Sequence, residues 1–74
     1  MIKINREHLG KFGRSSYGYV YTVKYGVVLS FNLETLEYQG VETYFNPYNV
    51  GKVYMEAERK LGELYAKGII EIYD

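Results

Sequence analysis

The chain has 74 residues, with nine basic and nine acidic side chains, no cysteine, no tryptophan and ten tyrosines. That length allows one domain, near the lower limit at which a hydrophobic core sustains a fold alone. The absence of cysteine excludes disulfides, thiolate metal sites and cysteine nucleophiles, and zero net charge excludes an acidic DNA mimic.

Residues 2–5 alternate, with Ile2 and Ile4 against Lys3 and Asn5, and predict a short strand. Asn5 can cap a single turn through Arg6, Glu7, His8 and Leu9, but Gly10, Gly13 and the Ser15–Ser16 pair predict a basic loop as far as Ser16, anchored by Leu9 and Phe12. From Tyr17 the period becomes two. Tyr17, Tyr19, Tyr21, Val23 and Tyr25 point one way and Gly18, Val20, Thr22 and Lys24 the other, predicting a strand over 17–25. Gly26 supplies a turn, and the apolar run that follows predicts a central strand over 27–32. Asn32-Leu33-Glu34-Thr35 reads as a turn, and a third strand is expected over 36–45 with a bulge at Gly40.

The firmest element is a helix over 47–67. Asn46 can serve as its N-cap, Pro47 suits the first helical position, and Gly68 can end it in a left-handed conformation. Spaced at about 100° per residue, Val50, Val53, Tyr54, Ala57, Leu61, Leu64 and Tyr65 form a stripe for packing on a sheet. Lys52, Glu56, Arg59, Lys60, Glu63 and Lys67 form a solvated face with favourable i,i+4 pairs. Gly51, Met55, Gly62 and Ala66 make a third stripe, which predicts either a seat for the chain's own N-terminal segment or a self-association surface that yields a homodimer. After Gly68, residues 69–73 predict a last strand, in the same direction as the third and beside either the third or the first. The expected fold is therefore α+β: an antiparallel three-stranded meander on one amphipathic helix, with short strands at both ends, in a single domain covering 1–74.

The catalytic inventory is thin. His8 is the one histidine and Asp74 the one aspartate, and the sequence holds no phosphate-binding loop, metal-spaced cluster or cofactor motif, so no catalytic residue, metal or cofactor is expected. The one catalytic alternative is a metal-independent ribonuclease of the small toxin type, with His8 as acid or base and Lys11 and Arg14 stabilising a phosphorane.

Arg14-Ser-Ser-Tyr-Gly-Tyr-Val-Tyr21 is the second candidate. Its Tyr17-Gly18-Tyr19-Val20 centre resembles the aromatic–Gly–aromatic–Val heart of the RNP1 motif of RNA-recognition and cold-shock domains, where aromatics stack on bases. Ser16 and Thr22 depart from that motif, Arg14 is one place early, and the order of elements differs, so the family is not carried over. What carries over is physical: Tyr17, Tyr19, Tyr21 and Tyr25 on one sheet face, beside a basic patch of Lys3, Lys11, Arg14 and Lys24, would make an aromatic platform if the helix leaves that face open. Residues 1–26 carry five bases against Glu7 alone, whereas 27–74 carry eight acids against four bases.

Tyrosine at an exposed face favours protein contact, since it offers area, a hydroxyl and little rotamer entropy. The reading is thus a non-enzymatic protein-binding module that uses the tyrosine-rich face or an edge strand. Tyr, Lys, Asn, Ile and Phe supply 28 of the 74 residues, a bias that AT-rich genomes favour, so a phage or bacterial accessory factor that modulates a host protein is expected. The alternative is single-stranded nucleic-acid binding by the same row. No stretch reads as a signal peptide or membrane span, so a cytoplasmic location without a membrane partner is expected.

Overall fold

A computed structural model describes residues 1–42 and 50–73, apart from the side chains of Tyr25 and Val50. The fold is α+β, with strands β1 (Ile2–Ile4), β2 (Gly13–Ser15), β3 (Gly18–Thr22), β4 (Val28–Phe31), β5 (Tyr38–Glu42) and β6 (Ile70–Ile72) and the helix α1 (Val50–Ala66). Strands β2-β3-β4-β5 form an antiparallel sheet in that order, and β1 pairs antiparallel with β6 in a second, two-stranded sheet. The central place of β4 explains its apolar sequence, because Leu29 and Phe31 are fully buried between two neighbouring strands.

Local chemistry accounts for the connections. The Asn5 side chain accepts the Glu7 amide and caps a 3₁₀ turn at Arg6–Lys11. The Asn32 carboxamide oxygen accepts the amides of Glu34 and Thr35, holding the β4–β5 turn. In β5 the register slips between Ser30 and Phe31, so Gln39 is the extra residue of a bulge beside Gly40, as expected. Helix α1 ends on Gly68 at φ 74°. The Gly68 amide reaches the Tyr65 carbonyl and the Ile69 amide the Leu64 carbonyl, with Leu64 and Ile69 both buried beneath the reversal.

Two expectations are corrected and one open choice is decided. The strand expected over 17–25 runs only from Gly18 to Thr22. Ser16 and Tyr17 form a two-residue turn, Val23 leaves the ladder, and Lys24–Gly26 coil into a 3₁₀ turn whose ends are tied by the Val23 amide on the Val27 carbonyl. Second, the segment read as loop contains β2, which Ser15 pairs to Gly18 across that turn. Gly18 makes this possible: it has φ 141°, and a Cβ there would run into the carbonyl of Phe31. Of the two places left open for the last strand, the structure takes the one beside the first, with Ile2 opposite Ile72 and Ile4 opposite Ile70; a bridge from Lys3 to Glu37 connects this pair to the start of β5. The expected caps Asn46 and Pro47 and the expected strand residues 43–45 lie outside the described residues.

Helix α1 packs on one face of the four-stranded sheet. The core comprises Val53, Ala57 and Leu64 from the helix, Val27, Leu29 and Phe31 from and just before β4, and Ile4, Phe12, Leu36, Ile69 and Ile70 from the second sheet and the connections. Leu36 adopts φ 67°, unusual for a branched side chain. It is held there by burial and by hydrogen bonds of its amide to the Asn32 carbonyl and of the Ile4 amide to its own carbonyl.

Candidate protein-binding surfaces

The tyrosine row divides between core and surface. Tyr19 stands opposite Phe31 and Tyr21 opposite Leu29, so both lie on the face that the helix covers and pack half-buried against the core. The Phe12 ring meets Tyr21 edge-on at 5.4 Å and Phe31 at 5.3 Å, and the Lys60 ammonium from α1 lies 5.3 Å from the Tyr21 ring centroid. Tyr38 continues the row across β5, 5.4 Å from Phe31. Its hydroxyl is pushed above the ordinary phenol range by burial first and by nearby Tyr54 second. An open platform of Tyr17, Tyr19 and Tyr21 is therefore not what the sheet presents. Tyr17 alone is turned out, 75% exposed at the tip of the β2–β3 hairpin, and the Tyr25 side chain is outside the described residues.

The basic residues are dispersed. Lys11 closes the first 3₁₀ turn, Arg14 stands in β2 opposite Tyr19, Lys24 opens the second 3₁₀ turn, and Lys3 lies in β1 between its strand partner Glu71 and the bridge to Glu37. The charge of Lys3 is thus offset locally, and its ammonium sits 5.8 Å from the Tyr73 ring. Arg14, in the middle of β2, and Lys11, before the end of β2 far from Tyr17, are exposed, and β2 is the outermost strand of its sheet, with no strand paired to its outer side among the described residues.

A shallow cleft of about 370 Å³ opens between β1 and the β4–β5 turn, lined by Lys3, Arg6, Glu7, Leu36, Glu71 and Tyr73 among others. Two cations and two carboxylates balance there. The Tyr73 hydroxyl donates to the Glu71 carboxylate, which raises its pKa and keeps the phenol protonated. His8 is half-buried in the first 3₁₀ turn, and no hydrogen bond joins its ring to Lys11 or Arg14 among the described residues. No group of three His, Asp or Glu that could hold a metal occurs among the described residues.

Helix α1 carries the second exposed aromatic surface. Tyr54 and Tyr65, expected in the packed stripe, are instead 63% and 53% exposed, and Met55 is 71% exposed. The four-stranded sheet covers only the arc of Val53, Ala57 and Leu64, with Leu61 at its margin, so tyrosines displaced to the border of the stripe emerge into solvent. Gly51, Gly62 and Ala66 are exposed as well, and a Cβ on either glycine would meet nothing within 4 Å. The N-terminal segment is not seated on this stripe; it pairs with β6. The charged flank is internally matched: Arg59 bonds to Glu56 and Glu63, and Lys60 and Lys67 both reach Glu63.

Sequence reading missed β2 as the edge strand. The signal for it is the Ser-Ser-Tyr-Gly stretch, a composition that suits a tight turn between paired strands as well as a loop. Comparison with protein-family models, curated proteins and solved structures finds no match to this chain. No described helix is long and apolar enough to cross a membrane.

Proposed function

We propose that the protein is a small non-enzymatic protein-binding module, a phage or bacterial accessory factor that binds and modulates a host protein along the outer edge of β2, with Tyr17 as its anchor. One observation carries this reading: the most exposed large side chain of the sheet, Tyr17, stands at the tip of the outermost strand, with Arg14 exposed along that strand. An edge strand offers main-chain hydrogen bonds to an added strand, an exposed tyrosine offers area at low entropic cost, and Arg14 on that strand favours a partner segment that carries acidic residues.

The test is capture from a bacterial host lysate by the wild-type chain and by a Tyr17→Ser/Arg14→Glu variant, with and without nuclease. The reading expects one protein that survives nuclease and is lost with the variant, while the thermal midpoint of the variant stays within a few degrees of wild type. Equal capture by both chains would overturn it. Recovery of nucleic acid alone would replace it with base stacking on Tyr17, in which case affinity would fall steeply with salt.

A further inference from the structure

The strands behind β2 fix which of its main-chain groups face outward. The Val23 amide donates to the Val27 carbonyl, and these two residues extend the β3–β4 register by one pair. In an antiparallel ladder, pairs that exchange both bonds alternate with pairs that exchange none, so the next bonded pairs are Tyr21 with Leu29 and Tyr19 with Phe31. The main-chain groups of Gly18 and Val20 therefore turn the other way, onto Ser15 and Gly13 of β2. Arg14 is left with both its amide and its carbonyl pointing out from the edge.

The side chains of the edge differ by face. Arg14 shares the face of Tyr19, and it takes part in no ion pair among the described residues. Gly13 shares the opposite face with half-buried Val20, whose Cγ2 atom lies 3.2 Å from the place that a Cβ on Gly13 would take. Val20 thus leans over the glycine and shows an apolar surface at the edge.

We infer that β2 takes an antiparallel strand of the partner in which an acidic residue stands opposite Arg14 and the next residue, opposite Gly13, is β-branched or aromatic. The inference rests on the edge-strand reading above and gives that site its sequence preference. An antiparallel strand closes both outward bonds of Arg14 with one residue, whereas a parallel strand needs two, and β2 is only three residues long. The acidic side chain falls on the Arg14 face and completes the pair that the chain lacks. The next side chain falls on the other face, where it fills the space beside Gly13 and rests on Val20, as larger cross-strand neighbours do at edge glycines. The residue before the acid meets Ser15, whose hydroxyl is already engaged by the Gly18 carbonyl and the Tyr17 amide, so no particular side chain is selected there. Beyond it the partner's chain runs toward Tyr17. Two β2 edges paired with each other about Arg14 would set like charges opposite, which disfavours a second copy as the occupant.

NMR with a capped Thr-Thr-Thr-Glu-Val-Thr-Thr peptide at millimolar concentration tests the preference. The peptide should slow hydrogen exchange of the outward Arg14 amide and leave the Gly13 and Ser15 amides, already turned onto β3, unchanged. A nitroxide on its N-terminal end should broaden Tyr17, and one on its C-terminal end should broaden Lys11. Lysine in place of its glutamate should weaken binding about five-fold, and Arg14→Glu should invert that preference. Glycine in place of its valine should weaken binding as well. Equal slowing of the Arg14 amide by the glutamate and lysine peptides, or a reversed order of the two labels, would overturn the inference and leave the edge-strand reading in place. A host protein captured through Tyr17 that leaves the Arg14 amide exchanging freely would overturn both. A peptide bound as described, beside capture that ignores Tyr17→Ser/Arg14→Glu, would support the strand preference and remove the proposed function.

Discussion

The tyrosines of the sheet and those of the helix are the same residue in opposite circumstances. Tyr19 and Tyr21 lie beneath α1, with their rings against Phe12, Phe31 and Leu29, whereas Tyr54 and Tyr65 stand out from the helix that covers them. In a domain this small a tyrosine can serve as core filler whose hydroxyl reaches the rim, or as a contact surface, and only its place on a face decides which. The sheet tyrosines sustain the fold; the helix tyrosines and Tyr17 are free to meet something else.

The largest effect that would sharpen this contrast lies at its centre. Phe31 is fully buried and touches Phe12 and Tyr38 edge-on or tilted, so Phe31→Ala should cost about 3–5 kcal/mol, comparable to the entire stability of a domain of this length. Urea unfolding should find most of that variant unfolded before denaturant is added. A wild-type midpoint would mean that the helix does not close this face.

Next comes the pair that separates the two kinds of tyrosine. Tyr21→Ser removes a half-buried ring together with its contacts to Phe12 and Lys60, and should cost about 1–3 kcal/mol. Tyr65→Ser should change monomer stability by no more than about 0.5 kcal/mol, measured at a concentration where the chain is monomeric. Equal losses would erase the distinction.

Much of this was legible in the sequence, and what was not has physical reasons. The α+β class, the central apolar strand, the Asn32 turn, the bulge at Gly40 and the Gly68 stop all followed from local chemistry, because each depends on residues within a few places of one another. The side of the sheet that α1 covers did not. Period two shows that Tyr19 and Tyr21 share a face, but which face is covered depends on how a helix 30 residues later crosses the sheet. Nor did the strand limits: Tyr17 continues the alternation perfectly well, yet Gly18 at φ 141° must sit against the Phe31 carbonyl, and that long-range contact turns Tyr17 out of the ladder. Of the candidate surfaces, the Gly51/Met55/Gly62/Ala66 stripe was readable from helical spacing alone. The exposure of Tyr54 and Tyr65 beside it was not, since it depends on how wide an arc four short strands can cover.

A smaller effect of opposite sign tests whether the outer helix face is bare in the monomer. Gly62 sits mid-helix with open space where its Cβ would be, so Gly62→Ala should stabilise the dilute monomer by roughly 1 kcal/mol through helix propensity. Thermal unfolding at low micromolar concentration reads it directly. Destabilisation would show that part of the chain packs on this face after all.

The smallest effect concerns the charged flank of α1, where Glu63 gathers Arg59, Lys60 and Lys67 within 3.2 Å. Hydrogen bonds from Lys67 and then Lys60 hold its carboxyl at about 2, below the ordinary 4.5. Because the folded value is the lower one, the stabilisation is complete above about 4.5 and disappears as pH falls towards 2, when the carboxyl protonates in the folded chain as well. Solvent screens these exposed pairs, so the contribution is slight and should shrink further at 1 M salt, where the screening length is only about 3 Å. Helical circular dichroism followed from pH 6 to 2 at a temperature near the unfolding midpoint should show a loss across that window, reduced in Glu63→Gln and in high salt. A Glu63→Gln titration that superimposes on wild type would mean that the three cations hold the carboxylate in the folded chain no more tightly than water does, and that α1 owes its stability to the buried line of Val53, Ala57 and Leu64 alone.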